Sequence, residues 1–372
     1  MAFYAKYTVP GTEKAIVENL KKFKLRRSLA YDKDCVIQWA PFSKLKWKAC
    51  FEHKTINSSF FVHSGFGRKV DLFETLKEYM IRTKSEVLIR GILPFRVIRC
   101  VDVKDAKEKI ERIMKKERDA VWVLKQDQAN NALGVHFIDM KSNIYDLAEK
   151  KMSGYPIRCV LQRHVDCPLL LKEHKFHLRA NVLAFGNLDV YFHRDVVAHI
   201  STKKYDPSDW NDTQKHVTNH CVQSQFETFD RSRNTTLLQD GVRVALTQVH
   251  GEDETSRMIC EIYAQMKQIT KEMFRAFETR RKLFLPMPNC FEIFGLDFIV
   301  DVKCNVYLLE VNTGPGLEGH CMYDLSSKIV SETLNIVLCS SGSSSSSYEK
   351  ILGSSDSKLL SSEMKERLKR YI

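Results

Sequence analysis

Residues 291–319 read FEIFGLDFIVDVKCNVYLLEVNTGPGLEG. Two apolar runs, 294–300 and 305–311, flank a polar turn at 301–305, which predicts a β-hairpin. Asp297 sits among Phe294, Leu296, Phe298, Ile299 and Val300, and Glu310 and Asn312 close the second run before a Thr-Gly-Pro-Gly break. An unpaired carboxylate is expensive to bury, so an Asp and a Glu inside apolar strands call for a partner. Asp297 and Glu310 are 13 residues apart on strands that pair through the turn. With Asn312 they set three oxygen-bearing side chains at one end of a sheet. Mg²⁺ takes such hard oxygen ligands when it also holds nucleotide phosphates. The plain alternative is a hairpin carrying an incidental Asp and Glu.

Working outward, 372 residues suffice for two or three domains with a sizeable core. Residues 1–14 contain no continuous apolar run of the signal-peptide kind, and no run reaches the ~18 residues of a membrane span. These features argue against a membrane protein. The 11 cysteines are an odd number with no CxxC pair, which argues for reduced thiols in the cytoplasm over a disulfide framework or a zinc site. The net charge is +12, and the first 50 residues carry 11 Lys or Arg against 4 Asp or Glu. Such a surface attracts polyanions: nucleic acid, phospholipid or an acidic protein tail.

Residues 1–70 read as a small basic α/β unit. It has a helix over 13–25 (Ile16, Val17, Leu20, Phe23) and strands at 36–39 and 60–63. A helix is expected over 72–81, an extended piece over 85–90 and a charged helix over 105–118. From Ala120 the texture changes. Residues 121–125 form a buried-type strand ending in Lys125, followed by a polar loop over 126–133 and a strand over 135–138. Further strands are expected over 157–163 and 169–171, and a hairpin joins 175–185 to 189–193 through Gly186-Asn187. Residues 204–255 are polar and loop-rich. Residues 256–282 form a long amphipathic helix, and 324–338 a helix packing back on the opening hairpin. Ser340–Ser347 is nearly pure serine, a flexible break.

Lys175-Phe176-His177-Leu178-Arg179 alternates along a strand, so Lys175, His177 and Arg179 share one side. Three cationic or ionisable groups on one face repel unless an anion lies there, and Arg194 on the paired strand is positioned to join them. A guanidinium suits carboxylate or phosphate. A solvated basic edge strand is the alternative. His216-Val217-Thr218-Asn219-His220 offers Thr218 and Asn219 as hydrogen-bonding groups; the two histidines read as structural or substrate-contacting.

Strand-Lys125, the QRHV of 162–165, KFHLR at 175–179, Arg194, HVTNH at 216–220, GLDFIVD at 295–301 and LLEVN at 308–312 occur in this order. In that order they resemble the tubulin–tyrosine ligase family, within the ATP-grasp ligases. The likeness is best over about 120–338 and extends to Phe66-Gly67-Arg68-Lys69. It implies an α/β (α+β) ATP-grasp fold, with an ATP cleft between two mainly antiparallel sheets and a small N-terminal α/β domain. The domains expected are 1–70, a central ATP-grasp unit 71–185, a C-terminal ATP-grasp unit 186–338 and a Ser-rich flexible tail 339–372. The resemblance implies that Lys125 and Lys175, helped by Lys69, contact ATP phosphates, and that Gln162, Arg163 and Val165 lie in the linker reading adenine. It implies that Asp297, Glu310 and Asn312 hold Mg²⁺, that Arg179 and Arg194 bind a substrate carboxylate or phosphorylated intermediate, and that Asn219 lies near the transferring phosphoryl group.

The chain departs from the family at His177, where many members have Asp, in the glycine-poor loop after Lys125, and in the Thr-Gly-Pro-Gly after Asn312. The implied activity is ATP-dependent ligation of a free amino acid, of the tyrosine type, to a protein carboxylate through an acyl phosphate. The implied acceptor is the acidic C-terminal tail of tubulin, in a cytoplasmic, cytoskeleton-associated setting. Glutamate or glycine ligation within the family is the alternative, as is a non-catalytic microtubule-binding ATP-grasp protein. A nucleic-acid module is a further rival, opposed by the lack of an aromatic-plus-basic RNA motif.

Overall fold

The computed structural model describes residues 2–6, 10–28, 35–118, 120–127, 134–138, 157–315, 323–339 and 346–353, with single positions at 362 and 366. Three sheets arise among these residues, and their differences in pairing follow from the sequence. The first is parallel: β1 (Ala2–Ala5) lies between β2 (Arg26–Ser28) and β3 (Cys35–Trp39), and β3 continues to β4 (Ile56–Asn57). β1 and β3 are buried throughout and apolar except for Gln38, which pairs with Asn57, as parallel strands with covered faces are. Helix α1 (Pro10–Lys22) crosses over from β1 and buries Ile16, Val17 and Leu20.

The second sheet is antiparallel, in the order β5 (Phe95–Cys100), β8 (Ile157–Arg163), β6 (Trp122–Gln126), β7 (Val135–Ile138). The third is built on β10 (His174–Phe185). Its neighbours are β9 (Leu170–Leu171), β11 (Asp189–His193), β12 (Val197–Ile200) followed by β13 (Thr235–Leu237), and β14 (Phe291–Val300) followed by β15 (Val306–Thr313). β16 (Tyr348–Leu352) adds to the outer side of β11.

Alternation along β10 divides its residues. Phe176, Leu178, Ala180 and Val182 enter the main core with Leu296 and Phe298 of β14. That core is covered by α2 (Lys69–Thr83), α3 (Glu86–Gly91) and the long helix α5 (Glu252–Glu278). The stripe Met258, Ile262, Met266, Ile269, Met273, Phe274 and Phe277 is buried against it, each side chain contributing about 1.5–3 kcal/mol of burial. Helix α4 (Val103–Lys116) covers the second sheet with Ala106, Ile110 and Met114. On the opposite face of the large sheet, Leu183, Phe185, Phe291 and Ile293 pack against the N-terminal unit and α6 (Tyr323–Cys339). Further along that face lie Lys175, His177, Arg179 and Asp297. No helix among the described residues is long and apolar enough to cross a membrane.

Four expectations are corrected. Residues 85–90 are helical, because Ser85 caps Leu88 N–H at 3.4 Å and the apolar Val87-Leu88 turn docks on α5. Residues 60–63 make only an isolated bridge, Val62 to Leu285. The boundary placed at 185/186 falls inside the β10–β11 hairpin of one continuous sheet. Tyr348–Leu352, placed in a flexible tail, is a strand held by β11 and by the buried Tyr348 ring on His193. The loop 128–133, most of the serine run and most of the tail after 353 lie outside the described residues.

Candidate active site

The register of the β14–β15 hairpin sets the centre of the site. Asp297 faces Glu310 and Gly295 faces Asn312, with an irregularity after Asp297. Asn312 Nδ2 donates to Asp297 Oδ2 at 3.3 Å and to Glu310 Oε1 at 3.4 Å. On the other side, β10 places Arg179 opposite Asp297. The guanidinium grips both carboxylate oxygens, with Nη2 at 2.7 Å from Oδ2 and Nε on Oδ1. Breaking such a buried bidentate pair from one side costs about 3–5 kcal/mol.

Cations close the ring around Glu310. Lys69 Nζ is 3.6 Å from Oε2. Burial by itself would raise the Glu310 pKa, but Lys69, Lys125 and Arg179 outweigh it and hold the carboxyl down to about 2. Lys69 is fixed at the start of α2, where Val70 N–H donates to Asp127 Oδ1 at 2.8 Å. Arg158 braces the same junction through Asp71 at 2.6 Å and Asp127 at 3.2 Å.

The second sheet supplies the opposite wall of a cleft of about 750 Å³. Lys125 donates to Gln162 Oε1 at 2.6 Å and to the Leu309 carbonyl at 3.0 Å. Burial, opposed by Glu310, pushes its ammonium down to about 8. Lys175 lies 2.9 Å from His164 Nε2 and 5.2 Å above the Phe137 ring. Burial and the nearby Lys125 push it down to about 7. Among the described residues no carboxylate opposes that shift. Leu93, Val165 and Ile299 form an apolar slot beside it, the kind of surface that takes a flat ring.

His177 Nδ1 is 2.6 Å from Thr218 Oγ1, and Nε2 is 3.8 Å from Asp297 Oδ1 without a hydrogen bond. Burial pushes its imidazole below the ordinary value. Asn219 lines the cleft while its side chain caps Cys221 N–H at 2.9 Å. Arg163 lines it with its guanidinium on Asp166 at 3.0 Å. The N–H groups of Arg163 and His164 are taken by the Pro94 and Val121 carbonyls.

The structure therefore gathers Lys69, Lys125, Gln162, Arg163, Val165, Lys175, Arg179, Asn219, Asp297, Glu310 and Asn312 about one cleft. Arg194 does not join them. β11 flanks β10 only at 182–185, whereas β12 and β14 flank 176–179. Arg194 instead lines a separate cavity with Tyr263, Lys267 and Tyr348, its guanidinium on the Ser346 carbonyl at 3.4 Å. Sequence reasoning missed His164, Phe137 and the Leu309 carbonyl. Only His164, inside the QRHV run, carried a local signal.

The donor set fits a hard cation: two convergent carboxylates and an amide whose oxygen becomes available when the side chain turns over. Arg179 would then share Asp297 with the ion.

A model of the tubulin-tyrosine ligase family matches residues 52–346. The chain belongs to the tubulin-tyrosine ligase family. Among relatives, a probable tubulin–tyrosine ligase of Schizosaccharomyces pombe is 34% identical over 160 residues, covering 42% of this chain and 36% of that protein. A probable tubulin polyglutamylase, ttll-9, of Caenorhabditis elegans is 25% identical over 222 residues, covering 59% and 52%. The aligned stretches thus span about a third to a half of these relatives' length. The C-terminal domain of Pby1 from K. lactis, described as an ATP-grasp enzyme interacting with the mRNA decapping enzyme Dcp2, matches with a TM-score of 0.69. The match covers 95% of this chain and 99% of that one at 19% identity. This family member has the ATP-grasp fold, α+β in class, with its cleft between the two antiparallel sheets.

Proposed function

We propose that the protein is an ATP-dependent ligase that joins a free amino acid to a protein carboxylate, with the acidic tail of tubulin as acceptor and tyrosine as donor. The observation that carries this reading is the cleft itself. Asp297, Glu310 and Asn312 converge on one side, and Lys69, Lys125, Lys175 and Arg179 surround them, on an ATP-grasp scaffold of the tubulin-tyrosine ligase family. Adenine occupies the Leu93–Val165–Ile299 slot, and Lys125 and Lys175 hold the phosphates. A Mg²⁺ ion held by Asp297, Glu310 and Asn312 supplies charge neutralisation for phosphoryl transfer.

The acceptor carboxylate oxygen attacks the γ-phosphorus, the bond to the β–γ bridging oxygen breaks, and ADP leaves. Arg179 is placed to steady charge on the transferring group. The donor amine, having lost a proton, then attacks the acyl carbon, and phosphate leaves as the amide forms. The basic N-terminal segment steers acidic tails towards the cleft.

Incubation with tubulin, ATP, Mg²⁺ and each amino acid, read by mass spectrometry, tests this. Tyrosine added to a C-terminus with stoichiometric ADP is expected. Glutamate on side chains would replace tyrosine as donor; this second reading is favoured by the longer match to a polyglutamylase relative. No amino acid transfer and no ADP would overturn the ligase reading in favour of a non-catalytic microtubule-binding protein.

A further inference from the structure

A second cavity lies on the same face of the large sheet as the carboxylate cluster. Its walls include Trp39, Phe42, Ser58, His63, Ile293 and Pro315, and it encloses about 920 Å³ of space partly open to solvent. Ile293, Gly295 and Asp297 alternate along β14, so they share that face. Arg179 and Pro315 close over Gly295, where a Cβ would lie 2.9 Å from Pro315 Cβ and 3.0 Å from Arg179 Cδ. Cavity and cluster are thus neighbours divided by two side chains. Asp297 lies four positions along the strand from Ile293, about 13 Å at the rise of a β-strand.

The cavity is built from unlike parts. Glu292, buried at its base, accepts from Ser59 Oγ at 3.2 Å, Phe60 N–H at 3.2 Å and His63 Nδ1 at 2.8 Å. These bonds fix 59–63 against β14 and hold the wall in place. Trp39, Phe42 and Phe291 give the cavity aromatic walls beside the aliphatic Ile293 and Pro315. Phe42 of that wall is 40% exposed, and Phe51 and Phe61, joined to it by ring contacts, are 47% and 43% exposed. Their rings meet through Trp47, with Phe42–Trp47 at 5.0 Å, Trp47–Phe61 at 5.1 Å and Phe51–Phe61 at 5.2 Å. Exposed Lys44, Lys46 and Lys48 lie in the same segment. A contiguous exposed aromatic patch beside lysines marks a binding surface.

We propose that this cavity and its aromatic ledge form a subsite for the acceptor: an extended acidic peptide that places an aromatic side chain in the cavity about four residues from the carboxylate that reacts. The proposal rests on the ligase reading and names the acceptor that reading leaves general. Three observations select this occupant. An extended chain advances about 3.3–3.6 Å per residue, so four residues bridge the cluster and the cavity. The donor amine must sit at the reacting carbon, so a single amino acid bound there does not reach the cavity. The lysines complement acidic neighbours, and the aromatic walls complement a ring.

The test uses the full chain and fluorescein-labelled octapeptides of glutamate ending in a free carboxylate, read by anisotropy. One peptide carries Phe four residues from the terminus, one carries it at the adjacent position, and one has none. The four-residue spacing is expected to bind about tenfold tighter than the other two, the size of effect one ring leaving water produces. Phe42→Ser should erase that preference while ATP binding is unchanged. Lys44→Glu with Lys46→Glu should weaken all three peptides alike. Equal binding of the three peptides, a preference that survives Phe42→Ser, or tighter binding of a single-stranded oligonucleotide at this surface would overturn the subsite. Ligation is measured separately with the same peptides. Absent ligation with an intact positional preference refutes the ligase reading alone, and ligation without the preference refutes the subsite alone.

Discussion

Nucleotide binding to this cleft should take up protons. Lys175 and Lys125 are pushed down to about 7 and about 8, by burial in both cases. A polyphosphate beside them restores the preference for the charged form. With both fully protonated in the complex, linkage gives an uptake of about 0.6 proton at pH 7 and about 1.4 at pH 8, against about 0.1 at pH 6. Affinity accordingly falls about twentyfold from pH 6 to pH 8. Calorimetry of a non-hydrolysable Mg·ATP analogue in two buffers of different ionisation enthalpy reads the uptake directly. Lys175→Arg, which stays charged, should cut the uptake at pH 7 to about a tenth of a proton. Heats that do not depend on the buffer between pH 7 and 8 would refute the reasoning. Folding responds in the opposite sense. The unfolded chain holds both protons up to about 10.5, so these two groups make the ligand-free protein more stable as pH rises from 7 towards 10.

Asp297→Ala or Glu310→Ala should reduce ADP release to background with little change in circular dichroism, and normal turnover in either would remove the metal assignment. Gly295→Ala should lower the melting temperature by the equivalent of about 1–3 kcal/mol and impair turnover, since the added methyl meets Pro315 and Arg179; an unchanged enzyme would mean that Arg179 does not need its present path. Tyr348→Ala should cost about 3–5 kcal/mol in denaturant unfolding, because the ring is buried on His193 and its hydroxyl meets Thr333 at 3.2 Å; a neutral result would return residues 348–352 to a tail.

The carboxylate end of the site was legible because charge inside an apolar strand is conspicuous, and strand alternation alone put Lys175, His177 and Arg179 on one side. Arg194 was misplaced for a definite reason. The hairpin turn dictates that β11 follows β10, but not that β12 and β14 occupy both edges of the segment 176–179. That choice is made by strands far apart in sequence. The helix at Glu86–Gly91 illustrates a different limit. A short apolar run such as Val87-Leu88-Ile89 suits strand or helix equally, and the Ser85 cap with α5 beneath decides. The backbone carbonyl of Leu309, which completes the Lys125 contact, has no side-chain signature at all.

The pairing of β16 with β11 joins segments more than 150 residues apart. During synthesis from the N-terminus, β11 leaves the ribosome long before its outer neighbour exists. Until Tyr348–Leu352 emerges, the row of amide and carbonyl groups along Asp189–His193 faces outward as a template for any passing strand. A chain interrupted in the serine run would retain every residue of the cleft and still carry that open edge. Self-association, before any loss of nucleotide binding, is then the first defect to expect of it, and light scattering of a protein ending at residue 339 would reveal it.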